Sequence, residues 1–217
     1  QHTIPDKVEN LYHKVTQWFS TNMEKAESEL HYDSPFHLLI AVILSAQCTD
    51  KRINQITPKL FCDFPTPLSM ASATPDVIYE YIKSVSYPNN KAKHLVGMAQ
   101  MLVRDYGGEV PSMGEELEKL PGVGRKTANL LLGDLYGVPG SVVCDTHCIR
   151  ICGRLGLSVG KEPEKVEKQL RAILPPEESS DFCHRIVWFG REVCTARSPK
   201  CGECPLSMWC KEFNPQV

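Results

Sequence analysis

Apolar residues recur along this chain at the spacing of helix faces, and the alternation typical of strands is nearly absent. Val8, Leu11, Val15, Trp18 and Phe19 fall on one face of a helix. Ser34-Pro35 supplies a cap and a proline at the first helical position. It leads into residues 36–44, apolar on nearly every side and therefore expected to be buried all round. Thr49-Asp50 caps the next segment, with Ile53 and Ile56 on one face, and Pro58 is expected to kink or end it. Thr66-Pro67 and Thr74-Pro75 mark two further starts. A longer helix is predicted over about 90–106, with Leu95, Met98, Met101 and Leu102 inward and Gly107-Gly108 as its stop. Ser112 and Glu115 have the spacing of a capping box for a short helix. Helices are then predicted at 125–136, 145–155, about 163–173 and 181–194. The one β-like stretch, 141–144, is too short to build a sheet. The pattern predicts an all-α fold without internal repeats.

Composition changes this picture little. The 217 residues suffice for one large domain or two small ones sharing an interface, and 42% apolar with 23% charged is ordinary for a globular protein. No run approaches the roughly 18 uncharged residues of a membrane helix, and residues 1–10 lack the apolar centre of a signal peptide. An intracellular protein, cytoplasmic or at the nucleoid if bacterial, is expected. The net charge of −2 argues by itself against a nucleic-acid partner, since DNA affinity comes mainly from Lys and Arg meeting phosphates. Local balance differs, however. Arg191, Arg197 and Lys200 lie close to a cysteine cluster, and Arg125 and Lys126 flank a glycine-rich turn, whereas the acidic residues gather around 115–118, 162–167 and 177–181.

The glycine-rich turn is Leu120-Pro121-Gly122-Val123-Gly124-Arg125-Lys126-Thr127, between two predicted helices. Glycines leave the amides uncovered, and the second helix begins where those unpaired N–H groups point outward, a combination that binds phosphate. Gly-x-Gly alone would be an ordinary turn. With Leu-Pro before it and Arg-Lys-Thr after it, the pattern matches a helix–hairpin–helix. Lys126 is then either one more phosphate contact or a nucleophile forming a Schiff base with a sugar carbon. A nucleophilic lysine must be neutral, which a helix N-terminus, nearby cations and burial all favour.

Asp145 follows the apolar run 142–144 and precedes a helix, so it reads first as an N-cap. A carboxylate fixed there can also stabilise an oxocarbenium-like sugar or exchange a proton with Lys126. Ten cysteines without a secretion signal favour a metal site over a disulfide framework. Four of them, Cys194, Cys201, Cys204 and Cys210, are separated by six, two and five residues. Structural zinc usually shows two close cysteine pairs. Here only Cys201 and Cys204 form one, which suits a [4Fe–4S] cluster better. The other six, Cys48, Cys62, Cys144, Cys148, Cys152 and Cys183, are expected to pack mostly as small hydrophobes.

Taken together, 34–36, Leu44-Ser45-Ala46-Gln47, the turn 120–129, Val143-Cys144-Asp145-Thr146-His147 and the cysteine loop resemble the endonuclease III family of the helix–hairpin–helix DNA glycosylases. The resemblance spans nearly the whole chain. It implies two helical lobes: a six-helix barrel with the hairpin over 29–139, and an iron–sulfur lobe built from 1–28 and 140–217. It further implies Lys126 as Schiff-base nucleophile and Asp145 as catalytic carboxylate. DNA contacts would come from Gln47 (filling the gap left by a flipped base), Gly122, Val123, Gly124, Arg125, Thr127, Arg197 and Lys200. The four loop cysteines would hold the cluster. The implied partner is double-stranded DNA with a damaged base or abasic site, bound by a monomer. The implied activity removes oxidised pyrimidines and cleaves the strand by β-elimination. Five features differ from the family's usual form: Cys144 before the aspartate, Cys148 after His147, one extra residue between Lys126 and Asp145 that must be absorbed by a bulge, Pro88 in the wedge loop 86–91, and an acidic pI of about 6.4. Rival readings are a monofunctional adenine or mismatch glycosylase using Asp145 and water, a non-enzymatic cluster-containing DNA-binding protein, and a zinc-stabilised module.

Overall fold

The computed structural model describes residues 6–23 and 28–216. Of the expected iron–sulfur lobe, residues 1–5, 24–27 and 217 lie outside the described residues, as does half of the polar start read at 1–10. The chain divides into two compact units, Ser28–Tyr136 and Gln1–Glu27 with Gly137–Val217. Every regular element among the described residues is helical, as the periodicity predicts, and no described helix is long and apolar enough to cross a membrane.

The unit Ser28–Tyr136 is organised around α2 (Pro35–Ser45), in which Phe36 to Leu44 are all buried. Ser34 caps it, its hydroxyl accepting from the His37 N–H at 3.1 Å. Contacting α2 are α3 (Asp50–Asp63), α6 (Pro88–Tyr106) and α8 (Arg125–Tyr136). The short helices α4 (Pro67–Ala71) and α5 (Pro75–Ile82) pack on α6, and the one-turn α7 (Gly114–Leu117) packs on α8. Thr49, Thr66 and Thr74 cap α3, α4 and α5 as predicted. Gly107 and Gly108 end α6 in left-handed conformation, with the Gly108 N–H returning to the Leu102 carbonyl at 2.8 Å.

Two expectations are corrected. Pro58 lies inside α3, which continues to Asp63. Its ring sits on the exposed face, where the carbonyl it leaves unpaired can turn to water. The short helix α7 begins one residue past the predicted capping box, with Met113 at the cap and no side-chain cap bond. Glu116, in that first turn, instead bonds Tyr106 and Lys119.

In the second unit, α1 (Asp6–Asn22) joins α9 (Thr146–Leu155), α10 (Pro163–Ile173) and α11 (Ser179–Glu192). Rings weld its first helix to its last: Phe19 lies 6.0 Å from Phe182 and 5.7 Å from Phe189, centroid to centroid. Tyr12, also buried on this face, donates to Glu178 at 2.8 Å. The crossing of α9 and α11 depends on Gly190, where a Cβ would fall 2.5 Å from His147 Nδ1 and 2.9 Å from Ile151 Cδ1. Gly190→Ala is therefore expected to cost about 1–3 kcal/mol by overpacking. Urea unfolding checks this, and an unchanged midpoint would sink it.

Candidate nucleic-acid and catalytic site

The hairpin turn is built by local rules. Its Val123 N–H bonds the Leu120 carbonyl at 3.0 Å, and the Ala128 N–H reaches Gly124 at 2.9 Å as α8 begins. Gly122 has φ +82, and a Cβ there would meet His94 Cβ and Ile43 Cγ2 at 3.1 Å each. Only glycine allows that backbone so close to the helices beneath. Val123 is buried and anchors the turn from within. Gly122, Gly124, Arg125 and Lys126 are exposed, and Thr127 is half-buried. Nothing lies within 4 Å of where a Gly124 Cβ would stand, so its face is open to an incoming phosphate. Lys126 is the second residue of α8 and points to solvent.

Asp145 is the N-cap of α9, extended at φ −90 and ψ −178, and its Oδ1 accepts from the Cys148 N–H at 2.8 Å. Asp145 itself is half-buried. Before it the chain folds tightly. Gly137 and Gly140 take positive φ, the Gly140 N–H bonds the Pro176 carbonyl at 2.7 Å, and the Val142 N–H returns to Gly140 at 3.0 Å. Lys126 belongs to the unit Ser28–Tyr136 and Asp145 to the other.

The cysteine loop follows α11. Cys194, Cys201, Cys204 and Cys210 all line one mostly apolar cavity of about 200 Å³, together with Ile151, Leu155 and Phe189. Burial pushes the Cys204 thiol up, and the charges of Cys194, Cys210 and Cys201 push it the same way. Four cysteine sulfurs crowded round one space are a donor set for a metal group. Among the described residues no three His, Cys, Asp or Glu side chains converge on a point that would hold a single ion. The four thiols surround one volume, which fits an iron–sulfur group held by four cysteines.

A family model described as HhH-GPD superfamily base excision DNA repair protein matches residues 40–176, well over half the chain. The iron–sulfur binding domain of endonuclease III matches 194–210. Endonuclease III of Bacillus subtilis (strain 168) is 44% identical over 188 residues, 86% of this chain and 85% of that protein. The chain belongs to the endonuclease III family. Solved structures agree. A non-covalent endonuclease III–DNA complex matches with TM-score 0.90 at 38% identity, and a trapped endonuclease III–DNA covalent intermediate with TM-score 0.88 at 38% identity. Each covers 99% of both chains. As in the family, the chain carries a [4Fe–4S] cluster, for which the four-cysteine cavity is the fitting site.

In this endonuclease III family member the cysteine loop is held by residues that the sequence pattern did not single out. Arg150 on α9 donates to the Cys194 carbonyl from Nε at 3.3 Å and Nη2 at 3.0 Å. Arg154, one turn on, donates to Cys194 Sγ at 3.4 Å and to the Thr195 and Ala196 carbonyls at 2.9 and 3.2 Å. The Cys194 sulfur, more than any other neighbour, raises the Arg154 pKa. The helix that begins at Asp145 therefore ends by gripping the metal loop. Arg197 and Lys200 stand exposed on that loop, and Gln47 is exposed after α2. Of the dispersed cysteines, Cys144, Cys148, Cys152 and Cys183 are buried as expected, whereas Cys62 is exposed and Cys48 half-buried.

Proposed function

We propose that this chain excises oxidised pyrimidines from double-stranded DNA and cleaves the strand at the resulting site, acting as a monomer inside the cell. As a DNA glycosylase and apurinic/apyrimidinic-site lyase of base excision repair, it needs a nucleophile, an acid–base group and a phosphate cradle. The observation carrying the reading is that Lys126 stands exposed about one turn from the exposed glycines Gly122 and Gly124, so a backbone held by the cradle brings its sugar to the amine. Val123, Arg125 and Thr127 complete that cradle. Arg197 and Lys200 hold further phosphates, and Cys194, Cys201, Cys204 and Cys210 are the cluster ligands. When bound, the cluster supplies structural order to their loop.

The chemistry assigned to the residues balances simply. The Lys126 nitrogen forms a bond to C1′ of the flipped nucleotide while the glycosidic bond breaks, its electron pair leaving with the base, which takes up a proton. Asp145 stabilises the positive charge that develops on the sugar and accepts a proton from the attacking amine. Ring opening gives the Schiff base. Loss of a C2′ proton then expels the 3′ phosphate. Gln47 occupies the space vacated by the flipped base. Trapped covalent endonuclease III–DNA in a relative sharing 38% of its residues supports a covalent route here.

The experiment is borohydride trapping on a duplex carrying one thymine glycol. A covalent protein–DNA band, lost in Lys126→Gln, is the expected result. Base release without a band would move the chain to the monofunctional class. Neither release nor band, on this duplex and on an abasic-site duplex, would overturn the activity.

A further inference from the structure

Lys91, in the first turn of α6, is only 5% exposed, a setting ammonium groups avoid unless their donors are matched. Here they are. Nζ donates to the Leu44 carbonyl at 2.8 Å, the Ala46 carbonyl at 2.6 Å and Ser86 Oγ at 3.1 Å, three acceptors for three protons. The last carbonyls of α2 have no partners within their helix. Ser45 Oγ takes that of Val42 at 2.8 Å and the Cys48 N–H takes that of Ser45 at 3.0 Å. Lys91 takes that of Leu44 and puts a positive charge at the negative end of the helix.

The same knot joins two loops. Ser86 Oγ lies 3.1 Å from both the Ala46 and Gln47 carbonyls, and the Ser86 N–H donates to Cys48 Sγ at 3.2 Å. Burial pushes the Lys91 amine down. Burial pushes the Cys48 thiol up, but the Ser86 bonds and the Lys91 and Arg52 charges bring it down on balance. Among the described residues, the non-glycine residues with positive φ are Gln47 (φ 57) and Tyr87 (φ 52). They flank this knot, Gln47 between Ala46 and Cys48 and Tyr87 directly after Ser86. Such a conformation is strained and persists only where the surroundings dictate it. Tyr87 is 63% exposed and Gln47 is exposed, so side-chain packing holds neither. The backbone anchors do.

We propose that Lys91 is a positioning residue for base extrusion: it locks Gln47 and Tyr87 in left-handed backbone so that both side chains stand as a preformed pair, ready to enter an opened base-pair step. An amide and an aromatic ring suit that task, one bonding the edge of an unpaired base and the other stacking on its neighbour. The inference rests on the proposed function, in which Gln47 fills the vacated space. It adds that the opening tool is built before DNA arrives, and that a buried cation remote from the reacting atoms builds it.

The test compares Lys91→Met with the unaltered protein by single-turnover borohydride trapping on two substrates. One is the thymine glycol duplex, which must be opened. The other is a single strand with an abasic site, which has no pair to open. Lys91→Met is expected to slow trapping on the duplex by about 10²-fold and to leave the single strand within about twofold. Ser86→Ala, which removes one arm of the knot, should show the same selectivity with a smaller loss, and decides the matter if Lys91→Met does not fold. In the Lys91→Met background, Gln47→Ala should add little, because both changes disable one unit. Equal losses on the two substrates, or an undiminished duplex rate, would overturn the role of Lys91. Failure of the unaltered protein to trap either substrate would instead overturn the underlying function.

Discussion

Asp145→Asn is expected to slow base release by about 10²–10³-fold, the cost of losing one preorganised charge at a developing cation, with almost no loss of stability. The two effects separate because capping and the proposed catalytic role draw on different properties of the side chain. Capping uses Oδ1, which accepts from the Cys148 N–H at 2.8 Å. An asparagine oxygen caps a helix about as well as a carboxylate. The proposed catalytic role uses the negative charge, which asparagine lacks. Asp145→Ala should lose both, adding roughly 1 kcal/mol of destabilisation to the same rate defect. Urea midpoints and single-turnover base release measured on both variants decide the point. If Asp145→Asn releases base at the unaltered rate, Asp145 is only a cap, and the carboxylate must be sought elsewhere.

Asp145 also shows why some of this molecule was legible in its sequence and some was not. Caps, prolines at helix starts and glycine stops act through bonds between residues a few positions apart, so Ser34, Thr66, Thr74 and Gly107 announced their helices correctly. The hairpin turn was equally local, since its chemistry is carried by consecutive residues. Arg150, Arg154 and Lys91 were invisible because their meaning lies in distant acceptors. Lys91 bonds Leu44, 47 residues away, and Arg150 reaches Cys194 across 44. On a helical wheel each is merely a polar residue. Pro58 misled for the opposite reason: a local rule predicted a break, and burial of Ile53, Thr57 and Leu60 on the other face held the helix through it.

Removing one cluster ligand, as in Cys201→Ser, is expected to abolish the visible absorbance of the cluster and to melt residues 194–216 while α2 to α8 stay folded. The reason is the composition of the loop. Among its described residues only Leu206 is buried, and its regular structure is confined to the short turns Cys201–Glu203 and Ser207–Trp209. One buried leucine contributes about 1.5–3 kcal/mol, whereas ordering more than 20 residues of backbone costs roughly 1–2 kcal/mol each. The Arg150 and Arg154 bonds offset only part of that deficit, so metal binding and loop folding are one event. The consequence for function is electrostatic. Arg197 and Lys200 are exposed cations whose placement depends on this loop. When it melts, the two proposed phosphate contacts are lost, and the slope of log K against log salt should shrink by about 2. Arg197→Ala with Lys200→Ala should shrink the slope equally while keeping the absorbance and the fold. If Cys201→Ser loses its colour but keeps the full slope, the loop does not present these cations to DNA. The basic contribution of this acidic protein must then come from the hairpin side, from Arg125 and its neighbours.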